Sequence, residues 1–196
     1  MLNLCYRNSI SVGSSNQQSK RHFATIYNGV KMAESIKEEV KYSIGKLREK
    51  HEYFHPKLIA VSVGDNLASN IYLKRKSEAA QYCGINFDKL CLPDNTSEEH
   101  LVTLLQDLNS DSSVHGIIVQ LPLPSHIRET YICNSVSPEK DVDGFTATSL
   151  GKLMQNVDTK TFVPCTALAV MKIVQNLGIR LIHNWPNSDI ISYYDL

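Results

Sequence analysis

Tyr72 and Lys76 stand one helical turn apart in "NIYLKRKSEAAQYCGI", residues 70–85. Side chains at i and i+4 of a helix share a face, so a phenol and an amine could act on one ligand there. The same run carries Lys74, Arg75 and Glu78, and a charged run on a helix is ordinarily a solvated surface. Gln120 interrupts the apolar run "IVQLPLP". A buried glutamine must satisfy both its carbonyl and its amide, and a structural amide is the plainer alternative. Pro122 and Pro124 hold the backbone after it extended, a wall for a flat ligand. "PEKDVDGF" offers Asp141 and Asp143 ahead of Gly144. An Asx turn is the plainer reading, and the D-x-[DN]-x-[DN]-G spacing of a calcium loop is missing. No metal site is proposed.

The elements that must position these residues follow from periodicity. "VKMAESIKEEVKYSIGKLREK" repeats apolar residues at Ala33, Ile36, Val40, Ile44 and Leu47, the pattern of an amphipathic helix. "KLIAVSVG" is a short β-branched run that reads as a buried strand ending at Gly64. The helix with Tyr72 and Lys76 follows, with Ser69 as its expected N-cap and Gly84 as its stop. "INFDKLCLP" reads as a second strand. In "NTSEEHLVTLLQDLNSD", Thr96 and Glu99 have capping-box spacing ahead of Leu101, Leu104, Leu105 and Leu108 on one face.

"VHGIIVQLPLP" is a third strand, ended by its prolines. Strands alternating with helices predict an α/β fold: a three-layer open parallel sheet with flanking helices. A short helix around "RETYICNSV", a polar loop "SPEKDVDGF" and a last helix entered from Thr166 and stopped at Gly178 complete the pattern. In such sheets ligands sit at the carboxyl ends of the strands. The Tyr72/Lys76 helix, Gln120 and the Asp143 loop all reach that edge.

Composition narrows the function. The 196 residues include 20 basic and 20 acidic ones, so net charge offers no pull toward nucleic acid or an anionic membrane, and neither is an expected partner. Cys5, Cys83, Cys91, Cys133 and Cys165 are odd in number and lack C-x-x-C spacing, which favours reduced thiols. "MLNLCYRNSISVGSSNQQSKRHFAT" holds Arg7, Lys20 and Arg21 and no acidic residue. That is the composition of a mitochondrial transit peptide, with a cut at Ala24. Residues 1–27 are therefore set apart as a leader.

Y-x-x-x-K is also the pair of short-chain dehydrogenases, but those need a glycine-rich turn after the first strand, and G-x-G-x-x-G occurs nowhere in the chain. "VGDNLASNIYLKRKSEAAQYCGI", "GIIVQLPLP", "SPEKDVDGF" and "VPCT" together, in order and spacing, resemble the methylenetetrahydrofolate dehydrogenase/methenyltetrahydrofolate cyclohydrolase family. The resemblance runs from about Val30 to Gly178.

The resemblance implies a folate enzyme of one-carbon metabolism. It would oxidise 5,10-methylenetetrahydrofolate with NAD or NADP, then hydrolyse the methenyl product to 10-formyltetrahydrofolate. It implies Lys76 as the catalytic lysine, Tyr72 as its neighbour at the substrate, and Gln120 as the glutamine contacting the lysine. Asp143 would hold the pterin, Ser69 would open the same helix, and Val119 and Leu121 would line the folate beside Gln120. A lysine that shuttles protons near neutrality must be desolvated or set beside a cation, since its ordinary pKa is ~10.4. A homodimer and a place in the mitochondrial matrix fit the same family.

Three departures qualify this. "ALAV" follows "VPCT" where the family carries a proline and then a glycine, and Ser149 stands where it carries an asparagine. "IRLIHNWPNSDIISYYDL" does not resemble the family's nicotinamide-binding domain. The expectation is a catalytic domain over 28–180 with a non-family tail over 181–196. Cofactor-binding residues stay unassigned, NAD or NADP is not expected to bind this chain alone, and dehydrogenation is not expected from it unaided. The alternative is a non-catalytic folate-binding or partner-binding remnant.

Overall fold

A computed structural model of the chain describes residues 28–155 and 161–178. The elements run α1 (Gly29–Lys50), β1 (Lys57–Val63), α2 (Leu67–Cys83), β2 (Asn86–Leu92), α3 (Glu98–Ser110), β3 (Gly116–Val119), α4 (Glu129–Asn134), α5 (Ala147–Gln155) and α6 (Cys165–Asn176). The strands form one parallel sheet in the order β2-β1-β3.

Alternation along the strands sorts their side chains onto two faces. Ile59, Val61 and Val63 of β1 join Ile117 and Val119 of β3 against Leu101, Leu105 and Leu108 of α3 and Ile132 of α4. Ala60 and Ile118 point the other way, onto Leu73 of α2, with Leu58, Phe87 and Val142 around them. Both faces of β1 and β3 are thus covered, which is why those strands read as unbroken apolar runs. The three-layer α/β arrangement expected from the sequence is the one observed.

α3 begins one residue later than the Thr96 capping box predicts. Ser97 is the N-cap, its side chain accepting from His100 N at 3.2 Å, while the Thr96 hydroxyl donates to Pro93 O at 2.6 Å in the preceding turn. Ser69 is likewise not the cap of α2. Asn66 takes that place and accepts from Ser69 N at 3.0 Å, which puts Ser69 inside the first turn. Gly84 does end α2, in the left-handed region at φ 83°, its N–H donating to Ala80 O and Gln81 O.

Among the described residues, α1 packs mainly on α2. Of its expected apolar stripe, Ile44 is buried while Ile36 and Leu47 stay exposed, because one neighbouring helix covers only a narrow seam. Arg48 ties the pair to the end of α2 by donating to Gly84 O at 2.7 Å.

α5 has no counterpart in the sequence pattern. Gly151 in its middle weakens the local signal, and the helix is set from its start: Thr146 Oγ1 accepts from Ser149 N at 3.0 Å. The last helix starts at Cys165, one residue ahead of the expected Thr166, and Gly178 follows it at φ 66°. The proposed leader and tail lie outside the described residues.

Candidate active site

The site is built where α2, the end of β3 and the turn before α5 meet. On α2 the buried positions are Ser69, Leu73, Ala80 and Cys83. Their spacing of four, seven and three residues leaves one place on the same stripe unfilled by an apolar side chain, and Lys76 occupies it. Lys76 is half-buried, whereas Lys74, Arg75 and Glu78 are exposed. The surface reading therefore holds for the rest of the charged run and fails for Lys76. Tyr72 is 61 % exposed: it shares a face with Lys76, and most of its side chain stands open to solvent at the mouth of the site.

The Ser69 hydroxyl donates to Leu121 O at 3.4 Å and so joins α2 to the segment after β3. Gln120 continues β3 through its N–H, which donates to Val61 O at 2.8 Å. Its side-chain amide donates to Leu121 O at 2.8 Å, while its Oε1 is buried and has no partner among the described residues. A buried carbonyl left in that state costs about 1–3 kcal/mol, and a donor brought by a ligand or by Lys76 would recover it. The Leu121–Pro122 peptide is cis. Leu123 N donates to Glu129 Oε1 at 3.1 Å, which pins the far end of this wall to α4.

The two aspartates of "DVDG" have different work. Asp141 is 4 % exposed, and its carboxylate accepts from Phe145 N at 3.1 Å and Thr146 N at 2.8 Å. This is the Asx-type turn, and it fixes the backbone into α5. Asp143 is free of that duty. Half-buried, it lines a cavity of about 10 Å³ with Val119, Ile117, Cys133, Val136, Asp141 and Phe145, room for about one water. A larger ligand must therefore lie across the open side of this group. Burial pushes the Asp143 carboxyl above its ordinary range, Lys76 pulls it back down, and Asp141 adds to the rise.

Gly144 sits at φ 67°, and a Cβ there would lie 2.6 Å from Phe162 O. Only glycine lets the chain before α6 settle on the turn. That contact delivers Cys165, whose Sγ lies 4.0 Å from Asp143 Oδ1. Cys165 and Cys133 are site residues that the sequence reading left among the scattered thiols. No local signal ties Cys165 to Asp143 across 22 residues; the glycine demanded by the turn is the nearest clue.

Other candidates fall away. His51–His55 spells H-E-x-x-H, a spacing that zinc sites use on a helix. It lies in the turn between α1 and β1, with Phe54 N donating to His51 O, so the two imidazoles do not share a helical face as a zinc site of that motif requires. Among the described residues no cluster of ligands suits a metal ion. A broad depression of about 520 Å³ at the β1–β2 end is lined by Asp65, Asn70, Lys89 and Asp94. Three of its polar groups bond one another, Asn70 bridging Asp65 at 2.6 Å and Lys89 at 2.9 Å.

Residues 27–143 match the catalytic domain of tetrahydrofolate dehydrogenase/cyclohydrolase. The chain belongs to that family. It is 40 % identical over 158 residues to the bifunctional protein FolD of Exiguobacterium sibiricum, covering 81 % of this chain and 56 % of the relative. It is 40 % identical over 168 residues to the mitochondrial bifunctional methylenetetrahydrofolate dehydrogenase/cyclohydrolase 2 of Rattus norvegicus, covering 83 % and 47 %. The Trypanosoma brucei methylenetetrahydrofolate dehydrogenase-cyclohydrolase, solved with NADP and an inhibitor, superposes with a TM-score of 0.76 at 32 % identity, over 79 % of this chain and 52 % of that one. The chain thus spans about half the length of these relatives.

The described residues do not fit a dinucleotide. The turn after β1 has one glycine, Gly64, and Asp94 Oδ1 lies 2.7 Å from where a Cβ would stand. A carboxylate in that cradle repels the pyrophosphate that such turns exist to hold.

The raised carboxyl of Asp143 has a consequence for stability. A group that binds its proton more tightly folded than unfolded loses stability as pH rises from the unfolded pKa through the folded one. The difference in urea midpoint between Asp143→Asn and the wild type should therefore grow in favour of the amide from about pH 3 to about pH 7. A difference independent of pH would show that the fold does not raise the Asp143 carboxyl above its ordinary range.

Proposed function

We propose that this chain binds a tetrahydrofolate and catalyses hydrolysis of the 5,10-methenyl form to 10-formyltetrahydrofolate. The observation that carries this is Lys76 on the buried stripe of α2, half-buried and within electrostatic reach of Asp143. Membership of the family supports the same reading.

In this reading the Asp143 carboxylate accepts the amino and ring N–H groups of the pterin, a paired recognition that a carboxylate performs well. Val119 and Leu121 line the ring, Gln120 Oε1 finds a donor, and Tyr72, open at the mouth, closes on the ligand's face. Ser69 acts by fastening the wall at Leu121. Hydrolysis adds water to the methenyl carbon and expels one of its nitrogens. A lysine beside the carbon can take a proton from the water as an amine and deliver one to the leaving nitrogen as an ammonium.

Oxidation of the methylene form is the family's other reaction. It transfers hydride to NAD or NADP, and the acceptor would have to reach this cleft from outside the described residues. A reading as a binding remnant without turnover is kept apart by the activity measurement below. The assembly proposed is the homodimer implied by family resemblance.

Lys76→Met should lower the rate of methenyltetrahydrofolate absorbance loss by about 100-fold or more and weaken tetrahydrofolate binding far less, by about two- to tenfold, through the loss of its coupling to Asp143. Asp143→Asn should weaken that binding roughly ten- to hundredfold, the value of charge-assisted hydrogen bonds. Equal hydrolysis by the Lys76→Met and wild-type chains would remove the lysine from the mechanism.

The mitochondrial matrix is the proposed location. The acid-free, Arg/Lys-bearing residues 1–25 support it, as does the rat relative named mitochondrial. With 1–27 as leader, the catalytic unit is 28–180 and the tail 181–196. Protein recovered after import into isolated mitochondria should begin at Ala24. Recovery of an unshortened chain outside the organelle would contradict the assignment.

A further inference from the structure

The segment entering α6 is seated on the Asp143 turn. A Cβ on Gly144 would meet Phe162 O at 2.6 Å and Pro164 N at 3.2 Å, so the backbone of these residues lies against the glycine with no room for a side chain. The next residue, Cys165, opens α6 and brings Sγ to 4.0 Å from Asp143 Oδ1. The groups that face Asp143 come from every element around it: Lys76 from α2, Asp141 from its own turn, Cys133 from α4 and Cys165 from α6. Lys76 is the cation of the set, and Asp141 is committed to the backbone of the turn. Cys165 is the neutral donor at contact distance.

We propose that Cys165 is a positioning residue: its S–H donates to Asp143 Oδ1 and fixes the direction in which that carboxylate meets the cleft. Cys165 is exposed at the surface, yet the partial desolvation of its thiol raises its pKa, with Asp143 adding to the rise and Lys76 opposing it, which favours the protonated, donating form. A hydrogen bond to a carboxylate favours its ionised state, so the thiol and Lys76 act together against the burial that would neutralise Asp143. The seat on Gly144 makes this contact part of the fold. The proposal rests on reading Asp143 as the partner of the pterin.

The experiment is a titration of the Asp143 side-chain carboxyl by ¹³C NMR in the full chain without folate, its signal assigned through Asp143→Asn. Cys165→Ala removes the donor and should move the midpoint upward by about half a unit or more. Cys165→Ser keeps a donor and should stay within a few tenths of the wild type. Tetrahydrofolate affinity at about pH 6 should follow the same order, weaker for alanine and restored by serine. Should the alanine chain not fold, wild-type protein capped at sulfur with methyl methanethiosulfonate must show the same upward movement of the Asp143 signal. An Asp143 midpoint indifferent to both changes overturns the proposal. Equal tetrahydrofolate affinity of Asp143→Asn and wild type strikes instead at the pterin reading, and the titration tells the two failures apart.

Discussion

A carboxylate set half out of water at the end of a parallel sheet must be charged to serve as an acceptor, and the fold must supply what water no longer does. At Asp143 burial works against the charge and Lys76 works for it. The rest of the site can be understood as the means of keeping those two side chains in place. Asp141, buried and spent on Phe145 N and Thr146 N, makes the turn rigid, so that Asp143 two residues later need bond nothing in the backbone. The neighbouring aspartates show how one short loop divides structural and chemical work.

Lys76 owes its position to a different constraint. α2 buries a stripe against the sheet through Ser69, Leu73, Ala80 and Cys83, and a lysine in that row is drawn in by the residues above and below it. Ser69 adds the lateral restraint by reaching Leu121 O. β3 ends at Val119, its backbone continues into Gln120, and the next residues are clamped to α4 through Glu129. The cleft is therefore held from three elements whose own stability comes from the two apolar faces of the sheet.

Much of this was legible in the sequence because it is periodic. The β-branched runs of β1 and β3, the leucines of α3 and the glycine stop of α2 are local signals, and each stands where the pattern put it. The caps were missed by one and three residues because Thr96 and Ser97, or Asn66 and Ser69, are equally able to cap. The partner each hydroxyl finds in the folded chain decides, Pro93 O in the preceding turn for Thr96 and the distant Leu121 O for Ser69. α5 hid behind Gly151, and its start depends on Asp141 and Thr146 bonds that no period announces. The burial of Lys76 could have been read from its place in the 69–73–76–80–83 row, whereas the exposure of Tyr72 and the approach of Cys165 to Asp143 follow only from the folded chain.

The central claim is that Lys76 and Asp143 form one electrostatic unit that receives a folate. It is tested most directly by a double-mutant cycle on tetrahydrofolate affinity, using Lys76→Met, Asp143→Asn and the pair together. The account predicts non-additivity: once Asp143 is an amide, removing the lysine should cost little more, with a coupling on the order of 0.5–3 kcal/mol. Strictly additive losses would mean that the two residues act independently and would contradict it.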